Sequence, residues 1–180
     1  MIYTTPKPIG RIALFAAVFL AMMGMYQIGS AAGIDPLAKW AWSENAGWIN
    51  FNPTVGGSVA VYEDHLEGYI WAENVGWIRL GTHTGGSPHT YANTDATNYG
   101  VNRDHSGRLT GYGWGANVGW INFAPTGGGV TIDPGTGAFA GYAWGENLGW
   151  ISLKGGSGTT AYGVATNFRQ IYLPLVLKPS

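Results

Sequence analysis

Along this chain, aromatic and aliphatic residues alternate with small or polar ones in short runs punctuated by glycine and asparagine. The pattern is clearest in four thirteen-residue blocks that stack without a gap: Lys39 to Phe51 (KWAWSENAGWINF), Gly68 to Leu80 (GYIWAENVGWIRL), Gly111 to Phe123 (GYGWGANVGWINF) and Gly141 to Leu153 (GYAWGENLGWISL). Period-two alternation of aromatic and β-branched residues marks a strand. Between the two runs of each block lies Asn-x-Gly: Asn45 and Gly47, Asn74 and Gly76, Asn117 and Gly119, Asn147 and Gly149. Both residue types accept left-handed backbone and close tight turns, so each block is expected to be a β-hairpin. Its two strands carry the Trp pairs Trp42/Trp48, Trp71/Trp77, Trp114/Trp120 and Trp144/Trp150, always six apart.

A third strand is expected before three of the hairpins, in Ser58 to Tyr62 (SVAVY), Tyr99 to Arg103 (YGVNR) and Gly129 to Asp133 (GVTID), with Val59, Val101 and Val130 aligned. The distance from these valines to the next Trp is 12, 13 and 14 residues, so length changes fall in the intervening turns, as a strand reading requires. Spacing between second tryptophans is 29, 43 and 30, and the excess sits in a Gly-, Ser-, Thr- and Asn-rich insertion, 81–98. Units of this size must stack to bury their apolar faces. The first block lacks a preceding strand, and the chain offers an orphan one at 161–166 (AYGVAT), with Val164 in the repeat position. A last strand that completes the first unit would remove sheet edges. The expected fold is therefore all-β: four Trp-rich hairpin units in a closed array, propeller-like or barrel-like, with a β-sandwich as the alternative.

The N-terminus has a different character. Met1 to Arg11 holds Lys7 and Arg11 and no acid, Ile12 to Tyr26 is apolar, and Ser30-Ala31-Ala32 supplies small residues. This predicts a signal peptide over 1–32, cleaved after Ala32, and hence bacterial export by the general secretory route to the medium or cell surface. The alternative is an uncleaved anchor, since Ile12 to Ile28 is 17 residues long, the lower limit for crossing a bilayer. A short linker, 33–38, would lead into a repeat domain over 39–168. Removing the leader takes all four Met and two basic residues, leaving seven basic against ten acidic residues and no Cys. The mature chain thus lacks the most easily oxidised side chains and any disulfide. Charged residues make up only 11% of the chain and form no basic cluster, which argues against nucleic acid as a partner.

The blocks GYAWGENLGWISL and GYGWGANVGWINF, with GVTIDPGTGAFAG between them, resemble a tandem repeat of secreted and surface proteins of environmental bacteria. The resemblance covers about Trp40 to Asn167 and implies no activity. The tail, 169–180, contains IYLPLVLK, which resembles a terminal stretch of some exported bacterial proteins. It lacks the Thr and Gly of an LPxTG sorting motif, and Pro174 suits an edge strand.

No catalytic set stands out. Glu44, Glu73 and Glu146 recur at one turn position, with Ala116 in the third block, and recurrence marks an exposed turn former rather than an acid-base pair, which needs unlike environments. Glycoside hydrolysis is the remote enzymatic alternative. It would need a pocket gathering Asp95, His83 or His89 with one of these glutamates. His65, His83, His89 and His105 lack ligand spacing, and Asp133-Pro-Gly-Thr-Gly looks like a turn rather than a calcium loop. No metal and no cofactor is expected. Tyr69 and Trp71, Tyr112 and Trp114, Tyr142 and Trp144 share strand faces. With so much aromatic surface, little charge and no disulfide, the favoured reading places the motif tryptophans in the core. If instead they are exposed, these six residues, with His83 and His89, are the candidate ligand-binding set, because Trp and Tyr suit ligands with an apolar face and a polar rim. The expected function is a non-enzymatic structural or adhesive role at the cell surface or in the extracellular matrix. The alternative is a carbohydrate-binding module. Partners would be extracellular glycan, another surface protein or further copies of the chain.

Overall fold

The structure, a computed structural model, describes residues 30–167. The leader through residue 29 and the tail at 169–180 lie outside the described residues. The elements are β1 (Ile34–Ser43), β2 (Gly47–Asn50), β3 (Ala60–Val61), β4 (Leu66–Glu67), β5 (Tyr69–Ala72), β6 (Gly76–Arg79), β7 (Val101–Arg103), β8 (Leu109–Gly115), β9 (Gly119–Asn122), β10 (Gly129–Ile132), β11 (Phe139–Gly145), β12 (Gly149–Ser152), β13 (Lys154–Gly155), a single 3-10 turn (Gly158–Thr160) and β14 (Tyr162–Thr166).

The four sequence blocks are the hairpins β1/β2, β5/β6, β8/β9 and β11/β12. In each the two tryptophans lie directly across the ladder from one another. Neighbouring hairpins also pair antiparallel, β2 with β5, β6 with β8 and β9 with β11. The ring closes where β12 meets β1, through Trp42↔Ser152 and Ser43↔Ile151. Eight strands thus form a closed antiparallel barrel, which leaves none of these hairpins with a free edge.

Below it sits a second tier. The third strands β7 and β10 pair with the N-terminal halves of β8 and β11, placing Val101 opposite Gly111 and Val130 opposite Gly141. Strand β14 pairs with β1 and places Val164 opposite Lys39, the equivalent position. The last strand therefore completes the first unit in the common register. The short pair β3/β4 belongs to the second unit. Single bridges Ala32↔Val61, His65↔Asn102, Arg108↔Thr131 and Ala138↔Ala165 link each ribbon to the next, so this tier also runs full circle.

The two tiers meet at Gly68, Gly111 and Gly141, where φ lies between +85° and +98° and a Cβ would collide with the carbonyl oxygen of Ser58, Gly100 and Gly129. Only glycine meets both demands. The first unit has Lys39 here, and β1 shows its register irregularity between Ile34 and Lys39. The stretch 33–38, expected as a linker, is largely the start of β1.

Inward-facing positions on the first strand of each hairpin are small, except Ile70 in the second hairpin, and those on the second strand are large. Ala41, Ile70, Gly113 and Ala143 face Ile49, Ile78, Ile121 and Ile151. Phe51, Leu80, Phe123 and Leu153 continue the core towards the second tier, joined there by Val59, Val101, Val130 and Val164. Such small-large alternation fills a narrow eight-stranded barrel with side chains.

The core reading of the motif tryptophans is overturned. Seven of the eight are exposed, at 37% to 44% of their surface, and Trp71 is half-buried. Alternation explains it: the residues flanking each Trp on its strand point inward and fill the lumen, so the indoles must point out. The barrel is too narrow to hold eight indole rings. The turn reading needs a correction too. Gly47, Gly76, Gly119 and Gly149 adopt positive φ, whereas Asn93 is the non-glycine residue in that region among the described residues. The turn asparagines have another task.

Candidate functional site

Each hairpin carries three aromatic side chains on its outer wall: Trp40, Trp42 and Trp48; Tyr69, Trp71 and Trp77; Tyr112, Trp114 and Trp120; Tyr142, Trp144 and Trp150. They meet edge to face. Trp42–Trp48, Trp71–Trp77 and Trp144–Trp150 have ring centroids 4.9 to 5.0 Å apart. The aromatic two residues earlier approaches the second Trp at 6.1 to 6.3 Å in all four units. These are favourable aromatic geometries. Each second Trp is also covered from the second tier, Trp48 by Tyr162 and Trp120 by Tyr99. Backbone at Gly57 and Gly128 lies against Trp77 and Trp150. The rings are thereby held in place with part of their surface open.

The four gaps between hairpins differ at the turn end. Asn74 Nδ2 donates to Ala46 O, Asn117 Nδ2 to Val75 O and Asn147 Nδ2 to Val118 O, at 2.9 to 3.2 Å. Each turn asparagine thus ties its hairpin to the one before. At the β12–β1 seam Ser43 Oγ takes over and donates to Leu148 O at 2.8 Å. Ser43 is wholly buried. The Asn45 side chain, relieved of that bond, stays exposed beside a cleft of about 390 Å³. Trp42, Tyr142, Trp144 and Trp150 form its aromatic walls, and Glu44 and Asn45 its polar end.

The predicted ligand-binding residues therefore separate into two places. Tyr112, Trp114, Tyr142 and Trp144 are exposed in the belt, with Tyr69 and Trp71 half-buried there. His83 and His89 join a different cluster, at the corner between β3 and β4, where the 81–98 insertion folds back. Their rings stack in parallel at 3.9 Å, and each lies edge-on to His65, at 5.6 and 5.4 Å. His65 is fully buried. Its ring stacks on Tyr62, its Nδ1 is 2.6 Å from Asp64 Oδ1, and its Nε2 is 3.0 Å from Glu67 Oε1.

The insertion is anchored to the same two carboxylates. Glu67 Oε1 accepts the Gly86 amide, while Asp64 Oδ2 accepts the Ser87 hydroxyl and the His89 amide. Burial pushes the Asp64 carboxyl upward, but these bonds and that from His65 outweigh it and hold it below the ordinary value. Burial, then the neighbouring His83 and His65, lowers His89, so its ring is neutral near pH 7. Tyr91, raised by burial and by the charge of Glu67, donates its hydroxyl to Leu66 O.

Asp64, His65 and Glu67 were missed as a group because their partners are about twenty residues away in the insertion. One local signal did exist: His65 and Glu67, two apart on an extended segment, must share a face. The gathering required for hydrolysis does not occur among the described residues. Asp95 accepts hydrogen bonds from Thr97 and Asn98 within its own turn, and Glu44, Glu73 and Glu146 lie on exposed turns. Compared with family models, curated proteins and solved structures, the chain matches none.

Proposed function

We propose that this protein is an exported, non-enzymatic adhesive module that binds extracellular carbohydrate through its outer aromatic belt, with the β12–β1 cleft as the primary subsite. One observation carries the reading: four aromatic rings and two free polar side chains, Glu44 and Asn45, line one open cleft. Sugar rings present an apolar face and a hydroxylated rim, and sites for such ligands pair apolar walls with a few placed polar groups. A surface made for lipid or for a protein core would not need the polar end. Rigidity supports the same conclusion. The indoles are braced edge to face and from the second tier, so little side-chain freedom is lost when a ligand stacks on them.

The repeat supports adhesion rather than solitary capture. Similar aromatic triads stand on all four hairpins, and weak contacts around one barrel add through effective concentration when the ligand is a polymer. The test is a glycan array followed by titration of soluble polysaccharides, read by Trp fluorescence. Trp144→Ala and Asn45→Ala are expected to weaken binding about tenfold or more each, as for a central contact residue. A Trp114→Ala change on the far hairpin should weaken a short oligosaccharide little. Absence of binding on the array, with fluorescence unmoved by every polysaccharide, removes the carbohydrate reading.

A further inference from the structure

The cluster at the β3–β4 corner gathers two imidazoles and a carboxylate at metal-ligand spacing. One ligand atom from each of His65, Glu67 and His83 lies within 4.8 Å of the other two. His65 and Glu67 are buried and His83 is half-buried. A neutral imidazole has one N–H. With it at Nδ1, on the 2.6 Å contact to Asp64, the lone pair of Nε2 faces a carboxylate oxygen at 3.0 Å. Two lone-pair atoms at that distance require a cation between or upon them, either a proton or a metal ion. His83 Nε2 is 3.8 Å from the same Glu67 oxygen. Ligands of one tetrahedral zinc, at about 2.0 to 2.2 Å from the ion, stand about 3.3 Å apart. The two observed separations bracket that value.

We propose that His65, Glu67 and His83 form a binding site for a divalent transition-metal ion, zinc by donor chemistry. The set is two imidazoles and one carboxylate, which suits zinc better than calcium or magnesium, whose ligands are oxygens. Asp64 is the positioning residue. It holds His65 by Nδ1 and fixes the tautomer with Nε2 towards the ion, the carboxylate-histidine-metal arrangement. Asp64 is itself fixed by Ser87 and the His89 amide, and Glu67 by the Gly86 amide. His83 is the ligand that adjusts. Its Nε2 is 3.1 Å from Gly86 O, and coordination replaces that bond. His89 stacks flat on His83, so both rings cannot bind one ion. Its Nε2 is buried without a hydrogen-bond partner, a polar atom beside the triad able to bond a water carried by the ion. Two ligands come from the β4 corner and one from the insertion, so the ion pins the insertion to the barrel.

The experiment uses the full chain, stripped with a chelator and titrated calorimetrically with zinc, with cobalt absorption as a second readout. The expected result is one ion per chain and a tetrahedral cobalt spectrum. His83→Ala should weaken zinc at least about 100-fold, and Asp64→Asn about 10- to 100-fold with unchanged stoichiometry. The exposed His105→Ala should leave it unchanged. His65→Ala is avoided because it would leave a buried cavity, whereas His83 is half-exposed and its replacement keeps the fold, as near-ultraviolet dichroism will report. Two results overturn the proposal: no saturable uptake below about 0.1 mM zinc, which leaves a proton as the cation, or a His83→Ala chain that binds zinc as tightly as the original. Neither result bears on carbohydrate binding at the cleft.

Discussion

Single residues in this protein act mostly by closing short local circuits. Asp104 Oδ1 accepts the amides of Ser106 and Arg108 and the Ser106 hydroxyl. Asp133 Oδ1 accepts the amides of Gly135 and Thr136 and the Thr136 hydroxyl. Both carboxyls sit below their ordinary value of 3.8, Asp104 chiefly through the Ser106 hydroxyl and Asp133 chiefly through the Thr136 amide. A group whose folded pKa is depressed adds stability above its unfolded pKa and loses it as pH falls through the folded value. The melting temperature is therefore expected to fall as pH drops below about 3.8. Replacing both with Asn, which keeps the turn geometry without the titration, should make that limb shallower in a thermal scan at stepped pH, the remainder coming from Asp64 and Asp95. The Asp133-Pro-Gly-Thr-Gly turn was legible in the sequence because its circuit spans four residues. The same spacing logic reaches Asp64 and Glu67 beside His65 but not His83 and His89, which lie beyond the next hairpin.

At the scale of elements, the hairpin is the repeated unit and the asparagine bond its link to the next. The sequence marked Asn-x-Gly as turn chemistry, which is right for the glycines. It could not show that Asn74, Asn117 and Asn147 turn their amides towards the preceding hairpin, since that depends on which turn lies next to which. The seam is where this link is made by another residue. Ser43→Ala should leave the Leu148 carbonyl buried and unpaired and cost about 1 to 3 kcal/mol, against about 1 kcal/mol for Asn117→Ala at an exposed turn. Urea midpoints of the two variants check the order. Equal losses would mean that the seam is no more dependent on its bond than the other three joints. The two-residue alternation of each block was also legible, but not which of its two faces would be interior. Both faces are apolar, and hydrophobicity alone gave no sign.

For the molecule as a whole, closure is the governing property. The barrel tier closes through β12 and β1, and the second tier through four bridges, of which Ala32↔Val61 rests on two backbone bonds of 2.9 and 2.8 Å. A chain processed after Ala32 loses that bridge. A mature chain beginning at Ser30 is expected to be more stable than one beginning at Gly33 by about 1 to 2 kcal/mol, from two backbone hydrogen bonds. Thermal unfolding of both versions measures it, and indistinguishable midpoints would show that the fourth bridge contributes nothing. The other end of the circuit is equally local: the Asn167 amide donates to Gly33 O, so the start and finish of the described chain meet at one joint.

What the sequence by itself determined is the eight hairpin strands, the turns that close them, the fourfold repeat and the completion of the first unit by a strand near the other end. All of these follow from period-two patterning and glycine placement, which act between residues close in the chain or equivalent in the repeat. Tertiary structure alone decided which face of each hairpin looks inward. Alanine, glycine and a single isoleucine, Ile70, opposite isoleucine fit a narrow lumen and indoles do not, a volume constraint that appears only when eight strands close. It decided equally that Asp64, His65 and Glu67 receive His83 and His89, because loop contacts across some twenty residues leave no period to read.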